Sequence, residues 1–311
     1  MDVLELLIIG AGSAGLAAGI YAERSGLKTL VLEEKIAGGT TAEAPLVENY
    51  PGFQSISGSD LAKKMTMQAK SAGVVIREFE TVMSIDLKSE PKVVATSKAR
   101  YDTKTLIIAS GRHYKEIGVP GEAELRGRGV SYCGICDGPL FSGKRLLVAG
   151  GGNSALITTL YLAGIASDVK IAHRRDAFRA EEALIGALKE KSNIEVLLNT
   201  EVKRILGEKM VNGALLFNNK TGETKELVVD GVFVQVGEEP NSQLAKNAGV
   251  AVDKDGYVIV DMLQRTNIPG VYAAGDVTNH PVKQVGTAVG QGITAALEAY
   301  GHVRRPYYYE G

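Results

Sequence analysis

Leu6-Leu7-Ile8-Ile9-Gly10-Ala11-Gly12-Ser13-Ala14-Gly15 passes from an apolar run into a glycine-rich turn. Consecutive apolar residues without alternation suit a strand buried on both faces. The small residues from about Ala14 to Ser25 predict a helix stopped by Gly26, and Leu30-Val31-Leu32 predicts a second strand ending at Glu33. Strand, turn, helix, strand and acid in this order make a dinucleotide fingerprint. Its glycines permit the tight turn and close pyrophosphate approach, the helix N-terminus faces the phosphates, and the acid takes ribose hydroxyls.

The unit recurs. Arg145 to Ala149 reads as a strand entering Gly150-Gly151-Gly152-Asn153-Ser154-Ala155, followed by a helix to about Leu162 and a strand at Val169–Ala172. Glu33 lies 23 residues after Gly10, and His173 lies 23 residues after Gly150. The second unit therefore carries His173-Arg174-Arg175 where the first carries an acid, with Arg179 one turn on. An acid there would repel a 2′-phosphate, whereas guanidinium groups pair with it bidentately at any working pH. The first site thus suits FAD or NAD and the second NADPH. The plainer reading of Arg174 and Arg175 is a solvated surface pair.

Between the two fingerprints stands Ser131-Tyr132-Cys133-Gly134-Ile135-Cys136-Asp137-Gly138, which holds both cysteines of the chain. Two cysteines cannot make a four-cysteine zinc site, and the four histidines show no ligand spacing, so no metal is expected. Asp2 and Glu5 stand where an export signal needs positive charge, so the expected compartment is a reducing cytoplasm. There a cysteine pair is more often catalytic than structural, although a static disulfide stays open. The net charge of −1 gives no basic excess, which argues against nucleic acid or an anionic membrane as partner.

The remaining chain supplies supporting pieces. Gly38-Gly39-Thr40 and Val47 to Gly52 are loops near the first ligand, and Ser59 or Asp60 is expected to cap a helix running to Ala72. Val74 to Arg100 reads as strands and hairpins, and Leu106 to Ala109 as a buried strand turning at Ser110-Gly111. Val211 to Val236 reads as an antiparallel excursion closed by a buried strand. Gly270 to Gly275 is a strand ending at Asp276, which returns to the first domain to meet polar groups of a cofactor unless it merely caps a turn. Gln284 and Val285 open a helix to about Tyr300, and the Tyr307–Tyr309 tail suits an exposed end or a dimer contact equally.

With these pieces in place, residues 6–300 resemble the low-molecular-weight thioredoxin reductases. The features that carry the resemblance are the N-terminal fingerprint, Cys133-x-x-Cys136-Asp137-Gly138 before the second fingerprint, His173-Arg174-Arg175 with Arg179, and the late Gly275-Asp276. The resemblance implies an α/β fold of two Rossmann-like dinucleotide-binding domains (three-layer ββα), the second inserted into the first. The FAD domain would be 1–112 with 243–311, and the NADPH domain 113–242. FAD contacts would come from Gly10, Gly12, Ser13, Ala14, Gly15, Glu33, Gly39, Asn49, Gly111, Gly275, Asp276, Gln284 and Val285. NADPH contacts would come from Gly152, Asn153, Ser154, His173, Arg174, Arg175 and Arg179. Family members often carry a Glu pair where this chain has Ile157-Thr158, and one of those acids lies near the nicotinamide. Thr40 likewise replaces a common Gln.

The resemblance further implies a homodimer that passes electrons from NADPH through FAD to Cys133–Cys136 and on to thioredoxin or a thioredoxin-like protein. Cys136 would face the flavin, Cys133 would attack the partner, and Asp137 would protonate the leaving thiolate. The inserted domain would turn between half-reactions on linkers near His113–Gly121 and Gly237–Ser242. Two other functions stay open: a flavin-dependent dithiol oxidase, which would not need the arginines, and a nucleotide-binding sensor, which would not need the cysteines.

Overall fold

A computed structural model describes residues 3–44 and 46–304. The chain divides into two compact units, 1–113 with 239–311, and 114–238, so one continuous stretch interrupts the other. The sequence expectation for the return to the first domain is 243. Both units are α/β with parallel sheets, as the two fingerprints predict.

In the first unit, β1 (Leu4–Ile9) leads into α1 (Ser13–Arg24) and β2 (Thr29–Leu32). The helix α2 (Gly58–Ser71) is capped by Ser57, whose Oγ accepts from the Asp60 N–H at 3.1 Å, rather than by Ser59 or Asp60. The strands β3 (Val75–Arg77), β4 (Val82–Asp86), β5 (Lys92–Thr96) and β6 (Arg100–Ile108) follow. The strand expected at 106–109 begins six residues earlier, at the polar Arg100. Its first half pairs antiparallel with β5 and its second half parallel with β1, so it joins the antiparallel and parallel parts of one seven-stranded sheet.

The chain then leaves through β7 (Arg112–Tyr114). The second unit contains β8 (Val130–Ser131), the short helix α3 (Gly134–Asp137), β9 (Arg145–Gly150), α4 (Asn153–Ala163), β10 (Asp168–Ala172), α5 (Glu182–Lys189) and β11 (Ile194–Leu197). An antiparallel sheet of β12 (Thr200–Gly207), β13 (Val211–Asn218) and β14 (Thr224–Leu227) precedes β15 (Gly231–Gln235). The parallel sheet has the order β11-β10-β9-β15-β8. The return runs through β16 (Glu238–Pro240), which pairs with β7, then α6 (Gln243–Asn247) and β17 (Val271–Ala273) beside β6. The last helix, α7 (Val285–Arg304), runs one turn past Tyr300 and ends in an ion pair of Arg304 with Glu5 at 2.6 Å. Tyr307–Tyr309 lie outside the described residues.

Burial on both faces explains the unalternating strands. In β1, Leu6 and Ile8 join α1, α2 and α7 in one core, while Leu7 and Ile9 join β4, β5 and α6 in another. In β9, Leu146 and Val148 pack under α4 and α5, and Leu147 and Ala149 pack on β12 and β13. Each such leucine, isoleucine or valine contributes roughly 1.5–3 kcal/mol by leaving water. Among the described residues no helix is long and apolar enough to cross a membrane.

Candidate functional site

The first glycine loop is shaped by contacts that no side chain could share. Gly10 has φ +101°, and a Cβ there would lie 2.4 Å from the Ala109 carbonyl oxygen. A Cβ on Gly15 would lie 1.9 Å from the Gly10 oxygen, so α1 packs directly on the turn. Gly15→Ala is therefore expected to cost at least about 1–3 kcal/mol of stability, measurable by urea unfolding. Gly39, at φ +56°, crosses Gly12 backbone to backbone, and Ser13 Oγ shares a hydrogen bond with Thr41 Oγ1 at 2.8 Å. Gly12 caps α1 without a side-chain hydrogen bond, which leaves first-turn N–H groups for an anion. Glu33 ends the second strand at the same place, where its Oε2 accepts the Ala11 N–H at 2.8 Å.

The returning segment joins this loop. A Cβ on Gly292 would meet the Ala14 oxygen at 2.1 Å, so α7 crosses α1 at small residues. Gly275 (φ +81°) sits against Ala14, and its N–H donates to the buried Gln291 Oε1 at 2.7 Å. Asp276 Oδ2 accepts from Arg112 Nε at 3.1 Å, next to Gly111. Asn49 Nδ2 donates to Gln284 Oε1 at 3.2 Å across 235 residues of sequence, just before Val285 opens α7. Glycines, a bare helix N-terminus and convergent polar side chains fit a dinucleotide with a polar ring system. Arg112, Thr41 and Gln291 are not legible as site residues in the sequence, because none belongs to a motif. Nearby, Lys283 Nζ bonds the carbonyl oxygens of Asp276 and Thr278 and lies over the Tyr257 ring. Burial pulls that ammonium down to about 8, with the Asp276 carboxylate opposing.

The second loop is built alike but edged differently. Gly150 abuts the Gln235 carbonyl, a Cβ at Gly152 would meet nothing within 4 Å, and Gly152 caps α4 with no side-chain bond. That opening again suits a phosphate. The Arg179 N–H donates to the Gly151 oxygen at 2.8 Å, which brings the arginine segment onto the loop. Arg174, Arg175, Arg179 and Ser154 are exposed. His173 is different: it is buried beneath Gly151, where a Cβ would lie 2.1 Å from its Nδ1, and beside the Phe178 ring. Burial, reinforced by the nearby arginine charges, lowers its pKa and keeps it neutral. Asn153 bonds Glu181 twice, through Nδ2 at 2.8 Å and by accepting the Glu181 N–H at 2.9 Å.

Cys133, the N-cap of α3, and Cys136, within its single turn, form a half-buried disulfide. The Cys136 N–H donates to Cys133 Sγ at 3.2 Å, a contact that favours a thiolate at Cys133 once the bond is reduced. The loop is anchored on both sides. Tyr132 donates its hydroxyl to Glu122 at 2.9 Å, and its carbonyl accepts from Gln235 Nε2 at 2.8 Å. Gly134 rests on Thr158 and Gly138 on Tyr161, so α4 is the floor of the loop. Of the two residues that replace the acids frequent in the resembling family, Thr158 is thus buried under the loop, while Ile157 is half exposed. Asp137 is buried, with Oδ2 accepting from Ser131 Oγ at 2.6 Å and Oδ1 without a partner. Burial pushes its carboxyl above the ordinary value, and the Ser131 bond opposes that rise.

Comparison with known proteins finds relatives that match nearly the whole chain. The chain is 42% identical over 300 residues to the 34.2 kDa protein in the rubredoxin operon of Clostridium pasteurianum, covering 96% of this chain and 97% of that one. It is 42% identical over 302 residues to the thioredoxin reductase of Bacillus subtilis, with 97% and 95% covered. The crystal structure of thioredoxin reductase from Streptococcus pyogenes superposes with a TM-score of 0.93 at 38% identity, covering 98% of this chain and 99% of that one. One family model matches residues 4–292, from the start of β1 into α7. The chain belongs to the pyridine nucleotide-disulphide oxidoreductase family.

Proposed function

We propose that this oxidoreductase is a thioredoxin-disulfide reductase that draws on NADPH and FAD. The single observation that carries the reading is the Cys133–Cys136 disulfide with buried Asp137 beside it, in a chain with two glycine-loop sites of opposite edge charge. Bound FAD would supply the two-electron chemistry that links NADPH to this disulfide.

The residues then have separate tasks. Gly10, Gly12, Gly15, Gly39 and the first turn of α1, with Ser13 and Ala14, would hold the FAD pyrophosphate, and Glu33 its ribose. Asn49, Gly111, Gly275, Asp276, Gln284 and Val285 would hold the remainder. Gly152, Asn153 and Ser154 would receive the NADPH pyrophosphate, and Arg174, Arg175 and Arg179 its 2′-phosphate, with His173 supporting the loop from below. The first unit is then the FAD domain and the second the NADPH domain. The two half-reactions would use two arrangements of the units, turning on linkers near His113–Gly121 and Gly237–Ser242. Cys133, whose sulfur already receives an N–H, attacks the thioredoxin disulfide, and Asp137 supplies the proton to the departing sulfur.

The experiment is direct. A yellow protein should bleach anaerobically with NADPH but not NADH, and recover its colour with oxidised thioredoxin. Rapid recovery with oxygen alone would favour the dithiol oxidase instead. The exposed Ile157 makes the donor worth separating, so reduced deazaflavin belongs in the same series; bleaching by it but not by NADPH removes the NADPH assignment. The variant carrying R174A and R175A is expected to raise KM for NADPH about 10–100-fold, from two lost phosphate contacts of roughly 1.5–3 kcal/mol before partial compensation. The weak affinity for NADH, read by its binding, should change far less. Equal effects on both nucleotides would remove the 2′-phosphate role.

A further inference from the structure

Ser131 has no part in the scheme above, yet it bridges Asp137 and the backbone of the redox loop. Its Oγ donates to Asp137 Oδ2 at 2.6 Å and accepts the Cys133 N–H at 3.1 Å. Ser131 and Asp137 are 4% and 8% exposed, so water competes little for either bond. Ser131 is also fixed from behind, because β8 pairs with β15 through Val130–Val232 and Ser131–Phe233. The two oxygens of Asp137 are therefore unequal: one is held by a donor, the other is buried with no partner. A proton added to this carboxyl does not displace the serine hydrogen if it settles on the open oxygen.

We propose that Ser131 is a positioning residue for thiol–disulfide exchange: it holds Oδ2 of Asp137 as an acceptor and keeps the exchangeable proton on Oδ1. The proposal rests on the reductase reading. The Cys133 thiolate attacks one sulfur of the partner disulfide, forming a Cys133–partner S–S bond as the partner's own S–S bond breaks. The departing sulfur leaves with the electron pair and takes the proton from Asp137 Oδ1. The carboxylate so formed removes the Cys136 thiol proton, and the Cys136 thiolate then attacks Cys133 Sγ. This closes the Cys133–Cys136 disulfide and expels the partner's second sulfur, which takes a proton from solvent. Two electrons pass from the enzyme dithiol, which is oxidised, to the partner, which is reduced.

The surroundings leave Ser131 as the tuning group. The floor helix α4 carries no charged side chain, and Tyr161 is its sole titratable residue. Residues 138–141 and strand β15 carry no titratable side chain. The Tyr132 hydroxyl is engaged by Glu122. In the disulfide form burial and the Ser131 bond act on the Asp137 carboxyl in opposite directions, and in the reduced form the Cys133 and Cys136 thiols are the titratable groups added beside it.

The test is exchange between the pre-reduced holoenzyme and oxidised thioredoxin, followed across neutral pH. Ser131→Ala should slow it on the order of 10-fold, as loss of one hydrogen bond to an ionisable group does. Because the protonated acid is needed, and the ionised acid loses its donor, the alkaline fall in rate should move to higher pH. Flavin reduction by the donor should be unchanged, and Ser131→Thr, which keeps the hydroxyl, should restore the wild-type profile. In an Asp137→Asn background, adding Ser131→Ala should change nothing further, since the pair acts as one unit. A Ser131→Ala profile superimposable on wild type overturns the proposal, as does an equal slowing in the Asp137→Asn background. Failure of the wild-type protein itself to reduce thioredoxin overturns the reductase reading and this proposal together, and so is told apart from both.

Discussion

Cys136→Ser is expected to abolish thioredoxin reduction, a loss on the order of 10⁴-fold or more, as removal of a covalent catalyst causes elsewhere. Reduction of bound flavin by the donor should proceed at its usual rate, because the nucleotide loops do not include the cysteines. The asymmetry of the pair sharpens the expectation. Cys133 Sγ receives the Cys136 N–H, which a serine at 136 still offers, so Cys133 stays poised as a thiolate. It should attack thioredoxin and remain trapped as a mixed disulfide, since no second thiol resolves it. Intact mass after mixing with oxidised thioredoxin reads the adduct directly. Cys133→Ser should form no such adduct. A Cys136→Ser enzyme that keeps turning over would end the dithiol mechanism, and an adduct on Cys133→Ser alone would reverse the two roles.

Much of this arrangement is legible in the sequence, and the reason is local. Gly10, Gly15 and Gly150 sit where a side chain would strike a carbonyl oxygen, so their spacing is a record of backbone approach. Glu33 and Arg174-Arg175 are legible because β2 and β10 end in the same register relative to their loops. What stays hidden depends on long-range contact. Arg112 meets Asp276 across 164 residues, and Gln291 meets Gly275 from inside a helix that reads as ordinary packing. The polar first half of β6 carries no strand signal, since its pattern is set by an antiparallel neighbour that only the fold supplies. His173 shares its register with Glu33 but not its exposure, because Gly151 leaves room for an imidazole beneath the loop and the ring fills it. Ser131 is visible two residues before Cys133, but only the turn into α3 brings it to Asp137.

Asp137→Asn separates catalysis from stability. The substitution keeps the shape and the Ser131 bond but removes the proton that the departing thiolate needs, so turnover should fall roughly 10²–10⁴-fold. Stability should move the other way. The folded-state carboxyl lies above its ordinary value, so over the interval between the two values the folded protein binds more protons than the unfolded chain. Stability associated with the neutral acid is therefore full at low pH and lost as pH rises through the folded value. Above the folded value the ionised group is a buried charge held by a single donor, Ser131, a condition that costs free energy. Asparagine never ionises. The variant should be at least as stable as wild type at alkaline pH, above the folded value, with the wild type gaining on it as pH falls through that value. Thermal melting at several pH values, beside thioredoxin turnover, checks both halves. Lower stability together with lower turnover would make Asp137 a structural acid and remove it from the proton path.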